Sequence, residues 1–282
     1  MRFIEICRMI KIEHSVFALP WAWSGAFLAA RGLPSARVLF FLTVAMIGVR
    51  SFAMTANRII DVEIDRRNPR TRERPLATGA ISLREALVFA AVAGLVFIAA
   101  CACLNLTCLI LSLPALIFAS AYSYTKRYSP LCHYWLGATL GLAPLAGWLA
   151  VIPSSLGLAP IALFFAVSFW VGAFDIYYAF QDLTVDRETG LHSIPADLGE
   201  SSALHIAAFS HCMTVIFLFL AGFAAPLGWP WYSMCAAVGA ILLWEHKLVA
   251  SRDPGRLKMA FFTLNGVVSF VVLAGAIFGV YF

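Results

Sequence analysis

The stretch NRIIDVEIDRRNPRTRERPLATG, residues 57–79, gathers four carboxylates and six arginines in a chain of 282 residues of which only 12% are charged and 62% are hydrophobic. Mean hydropathy is +0.86. On both sides of this stretch the sequence runs apolar for about 18 residues or more at a time, the length a helix needs to cross the hydrocarbon core of a bilayer. Such runs centre on residues 15–31, 38–56, 83–102, 106–124, 134–152, 161–181, 202–222, 229–246 and 260–281. They predict an all-α polytopic membrane protein of about nine transmembrane helices, with residues 1–282 forming a single domain because no soluble linker is long enough to set off a second.

Arg2, Arg8 and Lys11 precede the first run, as in a secretory leader, but that run is one of many, so it is read as an anchor. The seven cysteines form no CxxC pair and fall mostly inside apolar runs, where thiols behave as small hydrophobes; no disulfide framework and no zinc site is expected. Pro114, Pro144, Pro153 and Pro160 are read as helix kinks or ends.

Loop charge orients the chain, because cytoplasmic loops hold the Lys and Arg excess. If the helices alternate, the face shared with the N-terminus receives the arginines of 58–84 together with Lys126, Arg127, Arg187, Lys247, Arg252, Arg256 and Lys258, and the opposite face only Arg31 and Arg37. The N-terminus and residues 57–79 are thus expected in the cytoplasm. The net charge of +5 is accordingly a topology signal, with anionic headgroups or an anionic substrate as secondary partners and no nucleic acid.

Helical spacing turns the acids into faces, since each residue advances about 100°. Measured from Arg50, residues Asn57, Asp61 and Asp65 fall in a stripe roughly 80° wide, and Asp175, Asp182 and Asp186 fall within about 40° of one another. Lipid penalises such ladders, so they are expected to face the bundle interior or a wet cavity. Two carboxylate pairs brought face to face repel unless cations lie between them. Magnesium suits the donors, because it takes oxygen ligands, keeps waters, and shares one or two carboxylates with the phosphates of its substrate. A diphosphate held by Mg²⁺ on the acids and by Arg and Lys from nearby loops accounts for the charge of 57–79. A transporter coupling cation movement to intramembrane acids explains Asp175 but not the arginine-rich loop. The CDP-alcohol phosphotransferases also place D-x3-D on membrane helices, but their DG-x2-AR element is missing from this sequence.

These motifs resemble those of the UbiA-type intramembrane prenyltransferases over nearly the whole chain. NRIIDVEID is similar to that family's N-x3-D-x3-D, RPLATGAIS to its RPL-x-S/T-G loop, YSYTKRYSPLCHYWLG to its Y-x-K-R loop, and DIYYAFQDLTVDRETGLHSIP to its second acidic segment. Arg58 departs from the pattern, standing where many members have an acid. The resemblance implies helices around a central cavity in a bacterial inner membrane, with the active site facing the cytoplasm. It implies Mg²⁺-dependent transfer of a polyprenyl group from polyprenyl diphosphate to a small aromatic acceptor: 4-hydroxybenzoate or a related acid of quinone biosynthesis, or a naphthoate-type acceptor of the futalosine menaquinone route. Carried over, Asn57, Asp61, Asp65, Asp182 and Asp186 hold the metal, and Arg70, Arg74 and Lys126 bind diphosphate. Arg50 binds diphosphate or the acceptor's carboxylate. Asp175 assists acceptor deprotonation or orients Tyr178, and His14 contacts the acceptor. Trp170, Phe174, Tyr177 and Tyr178 are candidates to line the cavity, where aromatic faces stabilise a cation.

Overall fold

The structure, a computed structural model, describes residues 2–11, 15–250 and 263–282. The expected contact of His14, the bases Arg252, Arg256 and Lys258, and the start of the last apolar run lie outside the described residues. Among the described residues all regular structure is helical. In chain order the elements are α1 (Arg2–Ile10), α2 (Ser15–Ala30), α3 (Ala36–Ile60), α4 (Val62–Arg67), α5 (Pro75–Thr78), α6 (Leu83–Leu104), α7 (Leu106–Thr125), α8 (Cys132–Val151) and α9 (Leu158–Ala179). A 3₁₀ turn (Phe180–Asp182) leads to α10 (Leu183–Thr189), followed by α11 (Ile194–Leu198), α12 (Glu200–Ala224), α13 (Trp229–Ala250) and α14 (Asn265–Tyr281).

Six segments among the described residues are long and apolar enough to cross a membrane: α3, α6, α7, α8, α12 and the continuous run Leu158–Thr189 that joins α9 to α10. The chain is an integral membrane protein. The sequence pattern predicted about nine crossings, and a helix does occupy each apolar run. Yet α2 has 16 residues and α14 has 17, while α13 carries Glu245, His246 and Lys247 near its end. The short helices α1, α4, α5, α10 and α11 are additions, set in stretches too brief or too polar for hydropathy to mark.

The long helices touch in chain order, α2 to α3, α3 to α6, and onward through α7, α8, α9, α12 and α13 to α14, which returns to α2 and closes the ring. Helix α9 packs between α8 and α12, and 15 of its 22 residues are buried, as its all-round apolar sequence requires. Small residues let α8 approach its neighbours backbone to backbone: a Cβ at Gly147 would lie 1.8 Å from the Ala22 carbonyl oxygen of α2, and one at Gly137 2.2 Å from the Ser168 carbonyl of α9. Pro114 and Pro144 lie within α7 and α8, Pro160 in the first turn of α9, and Pro153 beyond α8.

On its far side α9 is held by buried polar contacts. Trp170 Nε1 donates to Asn265 Oδ1 at 2.8 Å, Asn265 Nδ2 donates to Glu245 Oε1 at 3.0 Å, and Tyr177 Oη lies 2.7 Å from His246 Nδ1. These bonds link α9 to α13 and α14, and in a low-dielectric interior they also penalise any rotation that would unmake them. The opposite face of α9 is thereby directed at the cavity described next.

Candidate active site

Both acidic ladders change backbone conformation at one of their own carboxylates. Helix α3 ends at Asp61 (φ −97°, ψ 6°) and the chain resumes as α4. The Asp61 N–H still reaches the Asn57 carbonyl at 2.9 Å and the Asp65 N–H the Asp61 carbonyl at 2.8 Å, so the four-residue spacing that aligns the ladder survives the break. After α9, Asp182 adopts nearly the same conformation (φ −107°, ψ 3°) before α10 begins. Both sit in the sparsely populated bridge region where active-site residues recur. A short helix closed by a glycine in the left-handed region follows the first ladder and carries the end of the second, Gly79 (φ 80°) after α5 and Gly190 (φ 68°) after α10, conformations costly to a side-chain-bearing residue.

The two ladders line one cavity together with Arg50, Arg58, Arg70, Arg74, Lys126, Tyr122, His133, Phe174 and Tyr178. Within it Asp61, Asp65, Asp175 and Asp182 each face a basic partner. Arg74 Nη1 donates to both oxygens of buried Asp65, at 2.7 and 2.9 Å. Lys126 Nζ lies 3.2 Å from Asp61 Oδ2, and Arg127 Nη2 3.6 Å from Asp61 Oδ1. Arg70 grips Asp182 with Nε at 2.8 Å and with Nη2, while its Nη1 donates to Tyr178 Oη at 2.6 Å and its guanidinium stacks 4.8 Å above the Tyr178 ring. Burial disfavours charge on Arg70, but the hydrogen bond to Asp182 together with the charges of Tyr178, Asp182 and Asp65 outweighs it and holds the guanidinium pKa above its ordinary value. The Asp186 backbone carbonyl accepts from the Leu191 N–H at 2.9 Å. Asp175 Oδ2 is 2.7 Å from His133 Nδ1, so Asp175 is fixed by a histidine of α8, whereas Tyr178 is engaged by Arg70.

Asn57 is buried and fully engaged. Its Nδ2 donates to Asp61 Oδ2 at 2.9 Å and to Ser123 Oγ at 3.2 Å, and its Oδ1 accepts from Arg58 Nη1 at 2.8 Å. Arg58, the residue that departs from the family pattern, is buried and also donates Nε to the Met9 carbonyl of α1 at 3.4 Å. Its guanidinium thus adds a cation to the floor of the first ladder.

The donor set suits a hard divalent cation. Asp61, Asp65, Asp182 and Asp186 supply carboxylate oxygens to one cavity, and Asp61 Oδ1 is buried with no hydrogen-bond partner. Among the described residues no three His, Cys, Asp or Glu side chains converge on a single point suited to a metal ion, and Asp61, Asp65 and Asp182 are each paired with a base.

Beside the polar cavity lies an apolar chamber walled by Met46, Val49, Ala53, Phe97, Ala115 and Ala143. The two share Arg50, Met54, Tyr122, Leu136 and Leu140, so Arg50 stands at the junction of a charged and an apolar compartment. Phe174 and Tyr178 line the polar cavity as expected. Trp170 and Tyr177 do not: seven residues apart they share a face of α9, about 20° from each other, and are engaged by Asn265 of α14 and His246 of α13. Sequence reasoning missed His133, Asn68 and Arg127. Asn68 Nδ2 donates to Asp182 Oδ1 at 2.8 Å across 114 positions of sequence. Local spacing holds no sign of such a pairing, although Asn68 and Arg127 both sit inside quoted motifs.

A ring of apolar helices around a charged cavity, with paired acidic ladders at one end, defines an intramembrane enzyme scaffold built for an anionic head and an apolar tail. The UbiA prenyltransferase family matches residues 18–267, and the chain belongs to that family. It is 31% identical over 290 residues to a 4-hydroxybenzoate octaprenyltransferase of Nitrosomonas eutropha, covering 97% of this chain and 96% of that protein. It is 33% identical over 276 residues to the enzyme of the same description from Aromatoleum aromaticum, covering 94% and 92%. Among solved structures, the apo form of a UbiA homologue from Aeropyrum pernix superposes with a TM-score of 0.85 at 35% identity, covering 94% of this chain and 97% of that one. A UbiA homologue from Archaeoglobus fulgidus bound to GPP and Mg²⁺ shares the fold with a TM-score of 0.77 at 23% identity, covering 99% and 100%.

Proposed function

We propose that this chain, as one membrane domain of nine crossings, transfers a polyprenyl group from polyprenyl diphosphate to an aromatic acid. 4-Hydroxybenzoate, the acceptor named for its relatives, is the acceptor of choice. The observation that supports this most is the pairing of compartments: acids and bases converge in a polar cavity that shares walls with an apolar chamber, and Arg50 stands between them. An amphipathic substrate with a diphosphate head and a hydrocarbon tail matches both. A cation transporter has no use for the bases that occupy Asp61, Asp65 and Asp182, and the family match argues against that reading.

In this reading Asp61, Asp65, Asp182 and Asp186 hold Mg²⁺, which when bound neutralises charge on the diphosphate. Asn57, with its oxygen on Arg58 and its amide on Asp61, orients Asp61. Arg70, Arg74 and Lys126 exchange their carboxylate partners for phosphate oxygens and stabilise the negative charge that grows there as the C–O bond breaks. Arg50 binds the acceptor's carboxylate, Tyr178 and Phe174 present π faces to the allylic carbon, and Asp175 receives the proton that leaves the acceptor. Arg70, Arg74 and Lys126 are each pre-placed by an acid, so little reorganisation accompanies the bond-breaking step.

The distribution of Lys and Arg supports a cytoplasmic active site in an inner membrane. Mass spectrometry of products tests the proposal: purified protein given Mg²⁺, a polyprenyl diphosphate and 4-hydroxybenzoate is expected to yield the ring-prenylated acid. A panel that yields product only from acceptors lacking a carboxylate contradicts the role given to Arg50.

A further inference from the structure

One buried titratable group at the rim of the cavity has no part in the chemistry above. His133 is the second residue of α8, only 3% exposed, and its Nδ1 lies 2.7 Å from Asp175 Oδ2. Its other nitrogen, Nε2, accepts from the Ile194 backbone N–H at 3.2 Å. That second bond decides the tautomer. A ring nitrogen that accepts carries no proton, so the proton of the neutral imidazole sits on Nδ1 and is donated to Asp175. One carboxylate oxygen of Asp175 is thereby occupied. The side chain keeps 24% exposure and lines the cavity, where Tyr122 and Arg50 also stand.

Ile194 is itself fixed from both sides of the site. It follows Leu191, whose N–H donates to the Asp186 carbonyl at 2.9 Å, and His192, whose N–H donates to the Lys126 carbonyl at 2.7 Å. The segment 190–194 therefore touches the second acidic ladder, the base at the end of α7, and His133.

We propose that His133 is a positioning residue for the transfer reaction: by donating from Nδ1 it holds Asp175 turned so that its other oxygen takes the proton released by the acceptor. The inference rests on the prenyl-transfer reading. In that reaction the donor's C–O bond breaks and its electron pair leaves with diphosphate, while a π pair of the acceptor ring forms the new C–C bond. The displaced ring hydrogen leaves as a proton, its C–H pair restores aromaticity, and Asp175 receives it. Proton, electron pair and leaving group are all accounted for without an oxidant or reductant. A neutral His133 serves before and after the transfer, since Nδ1–H can donate to the carboxylate and to the carbonyl oxygen of the carboxylic acid alike.

Steady-state kinetics of the full-length protein and its His133→Ala, His133→Asn, Asp175→Asn and His133→Ala/Asp175→Asn variants test this. His133→Ala is expected to lower kcat by roughly 10²-fold, the low end of a general-base contribution, with KM for polyprenyl diphosphate unchanged. The Asn side chain places an N–H near the position of Nδ1, so His133→Asn is expected to recover most of the loss. The double variant should be no slower than Asp175→Asn alone. In ¹⁵N spectra of histidine-labelled protein, one imidazole protonated on Nδ1 and bare on Nε2 should vanish in His133→Asn. Wild-type kcat in His133→Ala, additive losses in the double variant, or a matching rise in donor KM would overturn the role of His133. Failure of the unaltered protein to prenylate any aromatic acid would instead overturn the reading on which it rests.

Discussion

Asp65 is 4% exposed and its two oxygens are both held by Arg74, whose side chain is 20% exposed. Two consequences follow from that asymmetry. Arg74→Ala leaves a buried carboxylate unpaired, which costs on the order of 3–5 kcal/mol when a partner is removed from a buried pair, so the thermal midpoint of detergent-solubilised protein is expected to fall. It also removes a cation from the developing diphosphate, for which a loss of about 10²–10³ in kcat is expected in single-turnover assays. Lys126→Ala shares the kinetic loss but not the destabilisation, because Arg127 stays 3.6 Å from Asp61. Equal melting of both variants would contradict this division. The ladder residues were legible in the sequence because four- and seven-residue spacing suffices to place them on one face. The partners were not: Asn68 meets Asp182 and His133 meets Asp175 only because α3, α8 and α9 converge, and pairings 114 and 42 positions apart leave no local trace.

At the scale of the element, hydropathy located the helix cores and missed their ends. It gives no weight to Asp61 or Asp182 as break points, since a carboxylate in the bridge region and one in a straight helix have the same composition. Nor does it register that α8 must be thin where it meets α2 and α9. Gly147→Leu forces the α2 backbone away from a contact in which even a Cβ would stand 1.8 Å from an oxygen. A stability loss of at least about 3 kcal/mol, the upper end of overpacking costs, is expected from denaturant unfolding. Gly79→Ala, which meets nothing within 4 Å and strains only its own φ of 80°, should cost about 1 kcal/mol. A Gly147→Leu variant as stable as Gly79→Ala would show that the two helices are not in backbone contact.

For the molecule as a whole, α9 spans the bundle: its 22 residues rise roughly 33 Å, so the 155–158 turn and Asp182 lie at opposite ends. In a cysteine-depleted background, single cysteines in 66–82 and 187–200 are expected to react with an impermeant maleimide from the cytoplasm and one in 155–158 only from the other side. Labelling of all three from one side would contradict the topology drawn from loop charge. Sealed vesicles holding the wild-type protein are expected to pass no cation flux, and flux lost in Asp175→Asn would favour a transporter. The central claim is that the acids serve a diphosphate through a divalent cation, and one assay reaches it most directly: the yield of prenylated aromatic acid from purified protein before and after EDTA. Product is expected to disappear with the chelator and return with excess Mg²⁺, whereas undiminished product in metal-free buffer would contradict the account.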